Sequence, residues 1–191
     1  MNVQHLDVKV PLADKRAPNL DALIPVFHRW VRERAFDDLL IDVADYRHVT
    51  NGPGLLAVGH EGNFSLDLTE GVPGLRYVRK AVIAGDAKVA FAQALSALNK
   101  AEGLLAAEPV LNGAFKLNWR RLDVRINDRL LAPNHPETYA RLQPELTRFF
   151  DGLVGPGKVQ LELHAHSREL FRVTVRSSQP IGPALVGQYS S

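Results

Sequence analysis

The chain has 191 residues, 46% of them hydrophobic, with 23 basic and 21 acidic side chains and no cysteine. That length supports one well-buried core and is short for two, and the composition is that of a folded chain rather than a disordered one. The missing cysteine excludes a disulfide framework, a thiolate zinc site, an iron–sulfur cluster and a cysteine nucleophile. A formal charge of only +2, with basic residues scattered among acids, gives no basic arm for nucleic acid.

The opening residues, MNVQHLDVKVPLADKR, lack the apolar core and cleavage site of a signal peptide. No apolar run approaches the roughly 20 residues that span a bilayer, so the expectation is a cytoplasmic protein without membrane insertion. Val8–Val10, with Leu6 and Leu12 around it, predicts a first strand. A helix follows, capped by Asn19 or Asp21, with Leu20, Leu23, Ile24, Phe27, Trp30 and Val31 as one stripe. Pro25 is placed near its first turn, where a missing amide costs little.

Leu39–Tyr46 alternates Ile41 and Val43 against Asp42 and Ala44, predicting a half-buried strand with Ile41 and Val43 inward. After the turn at Asn51–Gly54, Leu55–His60 and Phe64–Leu68 form a hairpin about Glu61-Gly62, with the glycine supplying a positive φ. The turn at Gly71–Gly74 leads into Leu75–Lys80. Asp86 caps a second helix that buries Phe91, Ala94, Leu95, Leu98, Ala101 and Leu105.

Lys116–Ile126 returns to strand, with Leu122, Val124 and Ile126 inward. Asn134 and Glu137 have the spacing of a capping box, before a helix that buries Tyr139, Leu142, Leu146, Phe149, Phe150 and Leu153. Val159–Ala165 and Leu170–Val175 complete the pattern as a hairpin. From Ser177 the sequence loses its period, which predicts an extended or disordered tail over 177–191.

This order predicts one α+β domain over residues 1–176, a largely antiparallel sheet with helices packed on one face. The halves 1–82 and 115–176 rhyme. Each has Leu-x-Pro in its helix (Leu23-Ile24-Pro25, Leu142-Gln143-Pro144) and an Arg-aromatic pair (Arg29-Trp30, Arg148-Phe149). A duplicated βαββ(β) unit is one reading, but the helices and the two Gly-Pro-Gly turns demand different offsets, so its register stays open.

Two groups of residues carry the functional readings. In the first half, His48, His60 and Glu61, with Asp45 orienting a histidine, have the types needed for metal binding or for general acid–base work. Against that, Glu61-Gly62 is explained by hairpin geometry. In the second half, His164 and His166 are two apart and share a strand face with Arg172 and Arg176. If Arg121 and Arg125 lie on the same side, the sheet presents a cationic surface suited to phosphate or carboxylate. Those cations argue against a metal ion between the histidines, and no metal site is assigned.

The words IPVFHRWV (Ile24–Val31), LLIDVADYRHV (Leu39–Val49), GPGLLAVGHEGNFSLD (Gly52–Asp67) and PGLRYVRK (Pro73–Lys80) resemble those of a family of uncharacterised bacterial proteins of about this length. No activity, cofactor or catalytic residue comes with that resemblance. In topology alone, the first half also resembles the duplicated modules of vicinal-oxygen-chelate proteins, whose His/Glu ligand pattern is not evident here.

The leading expectation is a non-catalytic, dimeric cytoplasmic binding protein that takes a small anionic ligand or a protein partner through Arg121, Arg125, His164, His166, Arg172 and Arg176. The rival is a metal-dependent or acid–base enzyme using His48, His60 and Glu61. A third reading is an accessory subunit of a larger assembly, docking through its sheet face and through Ile181, Leu185 and Val186. The sequence names no cofactor.

Overall fold

The computed structural model describes residues 3–14, 16–82 and 84–182. In chain order these form β1 (Leu6–Pro11), α1 (Leu20–Glu33), β2 (Leu40–Asp45), β3 (Leu55–Gly59), β4 (Gly62–Asp67), β5 (Gly74–Arg79), α2 (Ala87–Ala106), β6 (Arg121–Ile126), α3 (Pro136–Val154), β7 (Val159–Leu163) and β8 (Phe171–Ser177). The strands make one sheet in the order β2-β3-β4-β5-β1-β6-β8-β7, antiparallel at every pairing. The α+β architecture follows from the alternating pattern as the sequence predicts.

All three helices cover one face. α1 lies on β2 and β3, α2 on β5 and β1, and α3 on β7. Asn19 caps α1 by accepting the Asp21 amide, and Leu23, Val26, Phe27 and Trp30 form its buried stripe. Pro25 sits in the second turn rather than the first, on the exposed side. Asp86 caps α2 by accepting from the Val89 amide, and the alanines at 87, 90, 94 and 101 bring that helix close to the sheet.

The core is one cluster with two aromatic groups. Phe27, Trp30, Phe36, Phe64 and Tyr77 pack ring against ring near α1, while Phe91, Phe149 and Phe150 join α2 to α3.

Four local expectations change. In β2 the register shifts between Leu40 and Asp42, so Ile41 is the extra residue of a bulge and is 56% exposed, while Leu40 takes the inward place. The strand expected from Lys116 begins at Arg121, because the amide of Leu117 and the indole of Trp119 bond instead to Glu102 of α2. His135, not Asn134, is the N-cap residue of α3. Asn134 is buried, and its Nδ2 donates to the carbonyls of His164, His166 and Leu170 at 2.8–3.1 Å, clamping the β7–β8 loop.

The fourth concerns the tail. Ser177 belongs to β8, and Ile181 is fully buried with its amide on the Trp119 carbonyl. Leu185 and Val186 lie outside the described residues.

β1 and β6, the first strands of the two rhyming halves, meet at the centre of the sheet. β1 pairs with the last strand of its own half, β5, and β6 pairs with β8. After α1 come four strands, whereas only two follow α3. One Gly-Pro-Gly turn links β2 to β3 and the other links α3 to β7, so no single offset aligns them.

Candidate functional site

The face without helices is charged, and the strand register builds it. Alternation in β1 sends Leu6, Val8 and Val10 into the core and Asp7 and Lys9 to the other side. Lys9 lies between Arg76 and Asp123, and Asp123 lies beside Thr174. One row along, Asp7 faces Arg125, which faces Arg172. Arg121 faces Arg176 in the same way. The four arginines expected on one side therefore form two facing pairs, Arg125 with Arg172 and Arg121 with Arg176, separated by the row of Asp123 and Thr174.

They do not make a simple cationic surface, because acids are interleaved. Arg76 grips Asp7 with two nitrogens, at 2.8 and 2.5 Å, and reaches Asp67 at 2.9 Å. Lys9 Nζ lies 3.3 Å from Asp67 and 3.2 Å from the Thr69 carbonyl. The Thr174 hydroxyl donates to Asp123 at 2.6 Å, and Arg121 reaches the other carboxylate oxygen at 3.3 Å. Although no described helix covers this face, Lys9, Asp67, Asp7 and Asp123 are each at most 2% exposed. Neighbouring side chains and the turn at Thr69–Gly71 lie against them.

Glu70 closes the network from above. It sits on a short 3-10 turn, Thr69–Gly71, with φ 62°, a left-handed conformation that non-glycine residues rarely take. Its Oε1 accepts from Arg125 at 3.1 Å and from Arg172 at 2.7 Å, so one carboxylate oxygen bridges two facing arginines. The Glu70 side chain remains half exposed. Nε of Arg121 and of Arg172 are buried without a hydrogen-bond partner.

The electrostatics follow. Burial pushes the Asp67 carboxyl up, but Lys9, Thr69 and Arg76 together hold it below the usual carboxylate range. For Asp123, burial is likewise outweighed by the Thr174 hydroxyl and by Arg121, Arg172 and Arg125. In Glu70 burial again opposes the arginines and loses, leaving the carboxyl below its ordinary value. Burial lowers the Lys9 ammonium despite Asp67.

His164 joins this face, with Nε2 2.8 Å from the Thr174 hydroxyl. His166 does not, because β7 ends at Leu163 and His166 lies exposed on the following loop, 3.9 Å from Glu169. The two histidines therefore share no strand face. Arg176 is exposed and pairs with Glu162 at 3.5 Å.

The first-half candidates are not brought together. Asp45 faces Leu55 at one end of β3, while His60 follows Gly59 at the other. The length of β3, about 15 Å at roughly 3.3 Å per residue, separates the neighbourhoods of His48 and His60. Asp45 is held by Arg47, which lowers its carboxyl to about 2 and also reaches Asp21 of α1 at 2.6 Å. Glu61 pairs with Arg79 at 3.2 Å. Among the described residues no three His, Cys, Asp or Glu side chains are grouped to hold a metal ion.

Gly62 does not have a positive φ. A Cβ there would lie 2.5 Å from Tyr77 Oη, so close packing requires the glycine.

Asp7, Lys9, Asp67, Glu70, Arg76 and Asp123 escaped the sequence reading. Alternation in Leu6-Asp7-Val8-Lys9-Val10 and Leu122-Asp123-Val124 carried a signal for three of them. Comparison of the chain with protein-family models, curated proteins and solved structures finds no match.

Proposed function

We propose that the protein is a non-catalytic binding protein for a small anion, and that Arg125 and Arg172, flanked by Arg121, hold the anionic group on the open sheet face. The observation that carries this reading is the bridge made by Glu70, whose carboxylate occupies a two-arginine position from a half-exposed turn. An incoming phosphate or carboxylate replaces that internal anion like for like, and two facing guanidiniums suit either group. The acids of the face are engaged with cations, which supports binding over acid–base chemistry. Among the described residues no helix is long and apolar enough to cross a membrane. The cysteine-free composition fits the cytoplasmic location read from the sequence.

The test is calorimetric titration with inorganic phosphate. Glu70→Ala removes the internal competitor and is expected to bind roughly tenfold more tightly than the parent, the equivalent of one charge-assisted hydrogen bond. Arg172→Ala is expected to remove binding in either background. Undiminished phosphate binding by Arg172→Ala would sink the reading.

A further inference from the structure

On the opposite face of the sheet a cleft opens between the α1 and α2 sides of the molecule. α1 covers β2 and β3 and α2 covers β5 and β1, which leaves β4 between them. Lys100 lies 3.5 Å from Asp37, just beyond α1, and Arg29 pairs with Glu108, just beyond α2, so the two sides are tied together. The part of α2 that faces the gap carries Ala92, Ser96 and Ala97, side chains too short to fill it. The result is a cleft of about 660 Å³, within the range of small-molecule sites.

Its chemistry is specific. Phe36 and Phe64 stack at 4.4 Å and Tyr77 lies against Phe64 at 4.9 Å, giving an aromatic lining. The charged groups around it already have partners. Asp38 accepts the amides of Glu61 and Gly62, both at 2.9 Å, Glu61 pairs with Arg79, and Lys100 pairs with Asp37.

What is left over is a neutral amide. Gln93 Nε2 donates to Tyr77 Oη at 3.0 Å, while Gln93 Oε1 is buried without a partner. Turning the amide over exchanges the two atoms and leaves the nitrogen unmatched instead. Either way one buried amide atom lacks its complement, beside a phenol that burial pushes above its ordinary value.

We infer that this cleft binds a small, neutral, planar molecule, an aromatic ring bearing a carboxamide, with the ring against Phe36 and Phe64 and the carboxamide completing Gln93. The ligand amide has both a donor and an acceptor, so it satisfies whichever Gln93 atom is free once the side chain turns that buried atom toward the cleft. A charged ligand gains no free counter-ion here. The site is independent of the anion site on the other face.

Benzamide is the probe, followed by nitrogen–proton correlation spectra of the full chain. The expected result is a saturable shift of the Gln93 side-chain amide and the Gly62 backbone amide, with a Kd of about 1 mM or tighter. Toluene and benzoate are expected to bind at least about tenfold more weakly, as is benzamide to Gln93→Leu. Ser96→Phe fills the cleft from the half-buried wall that α2 presents to it and is expected to abolish the shift; it carries the test if Gln93→Leu fails to fold. No saturable shift at about 20 mM benzamide, some twentyfold above that Kd, overturns the inference. So does equal affinity for the parent and either folded variant.

Discussion

Across the centre of the sheet, Val8, Val124 and Val173 lie side by side under the helices, each 0% exposed. On the other side, in the adjacent row, Lys9, Asp123 and Thr174 lie side by side at 2%, 2% and 0% exposure. The two rows are equally dry and are made by the same three strands, yet their burial has different causes. The valines are covered by helices, through contacts that have no preferred direction. The polar row is covered by its own neighbours, and each member depends on a named partner. The helix side therefore tolerates changes of detail that the open side does not.

The sharpest way to break the comparison is Asp67→Asn. It leaves Lys9 without its carboxylate and Arg76 with Asp7 alone, and it is expected to cost about 3–5 kcal/mol in urea unfolding. The double change Lys9→Met with Asp67→Leu removes both buried charges together and is expected to recover most of that loss, ending near or above the parent stability. If the double variant is as unstable as Asp67→Asn, ion pairing contributes more to this face than burial does.

Asn134→Ala is a smaller perturbation, because it releases three carbonyls of a loop at the edge of the sheet. About 1–3 kcal/mol is expected, with faster amide exchange confined to residues 164–170.

Acid should separate the faces without mutation. Asp67, Asp123 and Glu70 all titrate below their ordinary values in the folded protein. Their stabilisation is thus fully present above the unfolded values, around pH 4, and is lost as pH falls through the folded ones. The urea midpoint is expected to drop between pH 5 and pH 2 in the parent, and less in the Lys9→Met, Asp67→Leu variant. The smallest effect is that of Glu70→Ala on stability, within about 1 kcal/mol, since its side chain is half exposed and its ion pairs are screened.

Much of the fold was legible because each element carries its own period. Among the described residues, the eight strands and three helices arise close to where the alternation and the 3.6-residue stripes place them, with some ends shifted. Misplaced details arise where a distant partner outweighs a local signal. Asn134 has the spacing of a cap but bonds to a loop 30 residues on, and Ile41 fits its alternation until the bulge turns it outward. The charged face was half legible: alternation put Arg121, Arg125, Arg172 and Arg176 on one side, but Glu70 reaches them from a turn with no period of its own. The cleft was illegible, because it depends on how far apart two helices settle over a wide sheet.

The central position of β1 also sets a schedule. Val8 pairs with Tyr77 on one side and with Val124 on the other, so its second neighbour is more than a hundred residues downstream. At roughly 5–20 residues per second of synthesis, β1 waits on the order of 6–23 s for β6 after it leaves the ribosome. Through that interval β1–β5 can pair among themselves, but β1 is an open edge that displays Asp7 and Lys9. The late arrival of Arg125 and Asp123 beside them makes closure of the sheet a slow, long-range step.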